Sequence, residues 1–457
     1  MKMAAVLAIT LESAALCVWA QDTRTVIEPR IPPVCSSVAA KLKVVDGKTL
    51  APEDESKADT QRIQQALDAC PAGQGVELKV DGANRALLSG PLQLRAGVTL
   101  IVAKGAVLFA SRNPRDYDVT PGSCGVVNNG GRGCKPLIAG DNVANAGVMG
   151  DGIIDGRGWA QLEGQTVSWW DLAQQARTNG HQQCPRILVL NGCNNFTLYK
   201  ITLKNSPNFH VAYNGGNGFT AWGVVIDTPK AGRNTDGIDP GNSTNITITH
   251  CYINAGDDNV AVKAGRPGPT TNITISHNHF YAGHGVSIGS ETDGGLRNML
   301  VTDLSIDGAD NGIRIKSNAS RGGKVEHVVY DDVCIRDTKN PILMDTHYSA
   351  APTPNHDHVP LFTDIMLRNV RIEGQGKVTL DGYDEQHRLG ITFDNVVIDD
   401  LKKIKFASSH AVVKIGPGPV NFKPEGVDVT VEGSAGQGAE NSCQAKFVPM
   451  PSTAVGN

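Results

Sequence analysis

A chain of 457 residues, 40% hydrophobic and 19% charged, can bury a large core, which excludes a disordered or fibrous protein. Its net charge of −4, with no block of like charge, gives no electrostatic basis for binding nucleic acid, so any affinity for a polyanion must come from local positive charge. The 51 glycines against 5% aromatics fit many short strands joined by tight turns better than a helical bundle, and the length suits one solenoid domain that grows by adding coils.

At the start of the chain, Lys2 and the apolar run Ala4 to Ala20, interrupted by Glu12, read as a signal peptide over residues 1–20, cleaved after Val18-Trp19-Ala20. No later stretch has the roughly 18 consecutive apolar residues of a membrane span. The mature chain is therefore expected to be soluble and secreted, with no membrane partner, no cofactor and a monomeric state. Ten cysteines are present, and removal of Cys17 leaves an odd set with at least one unpaired thiol. Cys35 with Cys70 and Cys124 with Cys134 are the expected disulfides, since each flanks turn-rich sequence in an oxidising compartment. No Cys-x-x-Cys pair supports a zinc site. Cys251 and Cys334, on strands with apolar neighbours, fit buried thiols, and spacing assigns no pairing to Cys184, Cys193 or Cys443.

The segment Asp59 to Cys70, with a capping residue and apolar positions at Ile63, Leu67 and Cys70, reads as one amphipathic helix. From Val76 the period changes to two. Runs such as Val98-Thr-Leu-Ile-Val and Arg186-Ile-Leu-Val-Leu alternate with Gly and Asn turns. Lined up, Asn195-Phe-Thr-Leu, Phe219-Thr-Ala-Trp, Asn245-Ile-Thr-Ile, Asn272-Ile-Thr-Ile and Asn298-Met-Leu-Val each open a unit, roughly 24 to 27 residues apart. His327-Val-Val-Tyr, Asp364-Ile-Met-Leu and Ile391-Thr-Phe continue the series. No helical pattern interrupts it between Phe196 and Ile342, so the strands cannot be βαβ units. An all-β, single-domain parallel β-helix over 21–431 is the economical solution, with the N-terminal helix covering the open end of its core. The stretch 432–457, rich in Gly, Ser, Ala and Pro, is expected to be a flexible tail. Asn195, Asn242, Asn245, Asn272 and Asn318 form Asn-x-Ser/Thr triplets. They are read first as turn markers, because asparagine tolerates a left-handed backbone, and only second as glycosylation sites.

Four short motifs fall on consecutive coils: Asn234-Thr235-Asp236, Gly256-Asp257-Asp258, Gly283-His284-Gly285 and Arg314-Ile315-Lys316. Asp236, Asp258, His284 and Arg314 are separated by about 22, 26 and 30 residues, each one turn of the solenoid. Residues one coil apart sit roughly 4.8 Å from each other, so the motifs are expected to form a single column on one face. Each alone has a bland reading: a solvated Asp-Asp turn, a packed histidine, a solvent-facing strand edge. Together they fit cleavage of a glycosidic bond, which needs one carboxylic acid that keeps its proton and one carboxylate that activates water. Neighbouring aspartates supply that asymmetry, because like charges held close raise the pKa of at least one. Arg314 and Lys316, about 6.6 Å apart on one strand face, suit a sugar carboxylate.

At these residues the sequence resembles glycoside hydrolase family 28, and within it the bacterial endo-polygalacturonases. The resemblance extends over Ser89-Gly-Pro-Leu, Ser123-Cys-Gly-Val-Val, Trp169-Trp170, Asn205-Ser-Pro-Asn-Phe-His, Asn234-Thr-Asp-Gly-Ile-Asp-Pro, Gly256-Asp-Asp-Asn-Val-Ala, Gly283-His-Gly-Val-Ser-Ile-Gly-Ser-Glu-Thr and Asn311-Gly-Ile-Arg-Ile-Lys-Ser. It implies a right-handed β-helix and endo-acting, inverting hydrolysis of α-1,4 bonds in de-esterified galacturonan. Asp257 would be the general acid, while Asp236 and Asp258 would position the water. His284 would tune the acid. Arg314 and Lys316 would bind the galacturonate carboxylate, with Asn234, Tyr348 and, less directly, Lys263 as further substrate contacts. His210 reads as a structural core histidine, and Trp169 and Trp170 as packing. The alternatives are exo action, a Ca²⁺-dependent pectate lyase on the same fold, and a non-catalytic carbohydrate-binding β-helix.

Overall fold

Strand after strand hydrogen-bonds to the strand one coil later rather than to its neighbour in sequence, and the pairings of the large sheet are parallel. The computed structural model describes residues 21–178, 180–348 and 357–454; the expected signal peptide lies outside the described residues. Each coil contributes one buried residue to each of three ladders. One ladder stacks Leu188, Val211, Ile238, Val260, Val286, Ile313, Ile342 and Val378. A second stacks Phe196, Phe219, Ile246, Ile273, Met299, Val328, Ile365 and Ile391. A third stacks Leu203, Ile226, Ile253, Phe280, Ile306, Ile335, Ile372 and Ile398. All of these side chains are buried in one continuous core, and each contributes roughly 1.5–3 kcal/mol of burial. The result is a right-handed parallel β-helix, its parallel coils as the period-two pattern and the 24- to 27-residue repeat imply and its hand as the family resemblance implies.

The asparagines mark turns. Asn195, Asn242, Asn245, Asn272 and Asn298 all have φ between 51° and 62°, a conformation asparagine tolerates better than most residues. Several bond to one another between coils, as Asn298 Nδ2 does to Asn272 Oδ1 at 3.0 Å. Asn318 is different: its backbone is not left-handed, and its side chain donates to the Tyr348 carbonyl and accepts from Ser320 N.

The expected helix spans Thr60–Ala69 and buries Ile63 and Leu67 against the first coils. Asp59 occupies the capping position but makes no capping bond. Its carboxylate instead pairs with Arg62 and accepts from Leu88 N, because both donors face it from the helix and the sheet. A second helix, Trp169–Gln175, is capped by Ser168; Trp169 is buried, and Trp170 Nε1 donates to the Ser206 carbonyl.

Cys35–Cys70 and Cys124–Cys134 are bonded. A third disulfide, Cys334–Cys443, corrects the reading of Cys334 as a free buried thiol, whereas Cys184, Cys193 and Cys251 are free and buried. The same bond ties the described part of the expected tail, residues 432–454, to the coils. Beyond Cys443 the tail runs back along the stack. Lys446 pairs with Asp303 and Asp332, and Phe447 lies under the Arg336 guanidinium at 4.1 Å. Tyr281 Oη donates to the Val448 carbonyl at 3.0 Å, and Lys204 Nζ to the Thr453 carbonyl at 3.0 Å. Low hydrophobicity hid these polar anchors.

Candidate active site

The first ladder also sets the outward rows, because side chains alternate along a strand. One residue past it lie Ala212, Asp239, Ala261, Ser287 and Arg314, and three past it Asn214, Gly241, Lys263, Gly289, Lys316 and Asp345. Small residues in the middle coils leave an open floor. Two residues before the ladder, in the turns entering the strands, stand Asp236, Asp258 and His284. These turns are tight. A Cβ on Gly256 would lie 1.9 Å from the Gly232 carbonyl oxygen, and one on Gly283, where φ is +133°, 2.7 Å from that of Asp257. Buried Asn259 fastens the turns by donating to the Ile253 and Ala282 carbonyls and accepting from Gly285 N.

Not all the motif side chains share one column. Asp236, Asp258 and His284 do. Arg314 and Lys316 rise three and five residues further along their strand and reach back over Ser287 and Gly289. Arg314 Nη1 lies 3.0 Å from Asp258 Oδ1, Lys316 Nζ lies 2.8 Å from Oδ2, and Ser287 Oγ donates to Oδ1 at 2.6 Å. Both cations are thus engaged by Asp258, which as a buried carboxylate would be uncompensated without them. His284 Nδ1 is 3.1 Å from Asp257 Oδ1, 3.5 Å from Asp258 Oδ1 and 3.2 Å from Arg314 Nη1. Asn234 Nδ2 reaches Asp257 Oδ2 at 3.5 Å, and Asn234 Oδ1 accepts from Gln182 Nε2 at 3.0 Å. The Tyr348 ring lies 5.4 Å from both Arg314 Cζ and Lys316 Nζ. Lys263 Nζ faces the opposite end, 2.9 Å from Asp239 Oδ2 and 3.8 Å from Asp236 Oδ2. His210 is wholly buried, held by the Asp236 carbonyl and Thr228 Oγ1.

Burial, then the like charges of Asp239 and Asp257, hold the Asp236 carboxyl well above the usual carboxylate range. Burial also raises Asp239 to about 6 against the pull of Lys263. For Asp258 burial acts in the same direction but is overcome by Lys316, His284 and Arg314, which hold it well below the normal range. Burial would lower His284, yet its bonds to Asp257 and Asp258 raise it to about 9. The charged imidazole then donates from Nδ1 to a carboxylate. Asp257, with 21% of its side chain exposed against 2% for Asp258, is the carboxyl an incoming molecule can touch.

Asp257, Asp258 and His284 could between them bring one ligand atom each to a metal ion, all within 4.8 Å of one another. Both Asp258 oxygens already face fixed cations, so the group is a poor fit for a divalent ion. Sequence reasoning missed Asp239 and Ser287. The signal was there: counting one residue past the ladder position in each coil puts both on the outward row with Arg314.

An ionised and a proton-holding carboxyl side by side at the edge of the open floor of a β-helix fit a hydrolase of glycosidic bonds. The model of the family "Glycosyl hydrolases family 28" matches residues 83–414, and the chain belongs to that family. It is 43% identical over 381 residues to an endo-polygalacturonase of Pectobacterium parmentieri, covering 83% of this chain and 90% of the relative. It is 40% identical over 522 residues to a polygalacturonase of Ralstonia solanacearum, covering 98% of each. The solved polygalacturonase of Erwinia carotovora ssp. carotovora superposes with a TM-score of 0.74 at 38% identity, covering 92% of this chain and 98% of that one.

Proposed function

We propose that the protein is a secreted endo-polygalacturonase that hydrolyses α-1,4 bonds within de-esterified galacturonan. The observation that carries this is the opposite charge state of Asp236 and Asp258 beside the accessible Asp257, with Arg314 and Lys316 supplying positive charge to an otherwise acidic protein. Asp257 protonates the leaving oxygen, because it is the exposed carboxyl and His284 and Asn234 fix its two oxygens. Asp258, kept ionised, activates the water, and Asp236, which holds its proton, helps to position it. Arg314 and Lys316, held against Asp258, bring the positive charge that a sugar carboxylate meets at this edge of the cleft. Tyr348 shapes the same edge. The secreted state rests on the leader-like sequence of 1–20 and on the lack, among the described residues, of any helix long and apolar enough to cross a membrane.

Inverting enzymes usually hold their carboxyls about 6.5–9.5 Å apart and retaining ones about 5–5.5 Å. Asp257 and Asp258 offer oxygens within 4.8 Å, so the inverting reading does not rest on spacing. It rests on family membership, and nuclear magnetic resonance of the first-formed anomer tests it: inversion is expected, and initial release of the retained anomer refutes the roles given to Asp236 and Asp258. The activity is tested on polygalacturonic acid without calcium. A rapid fall in viscosity with a spread of oligomers is expected. Release of monomer or dimer alone would mean exo action, and an unsaturated, ultraviolet-absorbing product would mean a lyase.

A further inference from the structure

The row that carries Asp236, Asp258 and His284 continues toward the N-terminal coils. Two residues before Leu188 and Val211, the positions equivalent to these three are Arg186 and Phe209. The Arg186 guanidinium lies over the Phe209 ring at 4.3 Å, and Lys263 Nζ over the same ring at 4.4 Å. Lys263 is committed to Asp239. Arg186 is not: among the described residues its guanidinium forms no hydrogen bond or ion pair. A second arginine, Arg132, lines the same depression, together with Asn214, Asn242 and Glu291, and it too has no ion pair among the described residues. Its loop is closed by the Cys124–Cys134 disulfide and by pairing of Val127–Asn128 with His181–Gln182. Burial, then Arg132, disfavour the charge on Arg186 against the pull of Asp239 and Asp236. Two guanidiniums brought to one depression, neither of them ion-paired with the Asp239 and Glu291 that also line it, are arranged for an anion.

The other end of the cleft has the reverse sign. Past Lys316 the outward row becomes Asp345 and Asp381, with Glu425 beside them and Lys377 as the cation of the group. A polyanion lying along the floor is therefore favoured on the N-terminal side of Asp257 and repelled on the C-terminal side.

We propose that Arg186 and Arg132 form a further carboxylate-binding site, which takes the carboxylate of a galacturonate unit lying on the N-terminal side of the cleavage point, with Phe209 as the apolar surface beside the sugar ring. The assignment rests on the galacturonan reading above. It makes the length of substrate filling the N-terminal side a determinant of specificity.

The test is kcat/KM on galacturonate oligomers of increasing length for the wild type, Arg132→Gln, Arg186→Gln and the double variant, with thermal unfolding of each as a check on folding. The ratio of kcat/KM for long to short oligomers should fall at least about tenfold in the double variant, by less in each single variant, and by less again at high salt. Arg132 is exposed, so its variant tests the site even if Arg186→Gln folds poorly. A length dependence unchanged from wild type, or an equal loss at every length, overturns the site. Wild-type protein inactive on every galacturonan would instead overturn the galacturonan reading, and this site with it.

Discussion

Asp236 and Asp258 stand at the same rank on adjacent coils and are equally buried, at 3% and 1% exposure, yet they are driven to opposite protonation states. Asp236 sits among Asp239 and Asp257, and one of its oxygens lacks a partner. Asp258 sits where Arg314 and Lys316 arrive from two coils further on. Burial costs both carboxyls the same kind of energy, so the cations decide. The β-helix makes such a difference easy to build, because coils only about 4.8 Å apart can present different side chains at one rank.

The comparison breaks most completely at the carboxyls. Asp258→Asn leaves three positive groups around a neutral amide, and breaking a buried pair costs about 3–5 kcal/mol. Urea unfolding should show that loss, together with a fall in kcat of about a hundredfold or more. Asp257→Asn should cost as much in kcat with stability close to wild type, because Asp257 is partly exposed. A variant at 257 that keeps more than about a tenth of wild-type kcat would remove it from the acid role.

Next in size is Lys316→Ala. The folded pKa of Asp258 is depressed, so its contribution to stability is present above the unfolded value of about 3.9 and lost as pH falls through the lower folded value. Without Lys316 that folded value rises, and the acid limb of kcat/KM should move to higher pH. Activity on polygalacturonate should also fall at least about tenfold, and proportionally less on a fully methyl-esterified polymer. Equal losses on both polymers would mean that Lys316 serves Asp258 and not the substrate.

His284 sharpens the basic side. Its folded pKa is raised to about 9, so the stabilisation is complete below about 6.5, the unfolded value, and is lost as pH rises through about 9. Wild type should lose stability over that window, and His284→Gln should not. Parallel pH–stability curves for the two proteins would show that the imidazole is not charged in the folded state.

The coil architecture was legible because it repeats: ladder residues and left-handed asparagines recur each turn, and Asn195, Asn245 and Asn272 announced the register. The identities of the site residues were legible as motifs on successive coils. Their connections were not. That Arg314 and Lys316 reach Asp258, two coils away, depends on glycine and serine at 289 and 287 leaving room, which the motif spacing does not express. The Cys334–Cys443 bond was hidden for a related reason, since a separation of 109 residues in sequence is closed by the tail returning along the stack.

That bond provides the smallest expected effect on catalysis and the control for the others. A cross-link closing so long a loop contributes about 2–4 kcal/mol, mainly by restricting the unfolded chain. Cys443→Ser also loosens the anchor from which Lys446 reaches Asp303 and Asp332. Among the described residues no tail contact touches Asp236, Asp257 or Asp258, so the variant should unfold at lower urea concentration while keeping wild-type kcat and both limbs of the pH profile. Reduced protein should behave the same way as far as this bond is concerned. If instead the acid limb moved with the stability, the pH dependence assigned to Asp258 would be reporting unfolding of the coils around it rather than ionisation of one carboxyl, and the contrast with Asp236 would have to be measured by direct titration of each group.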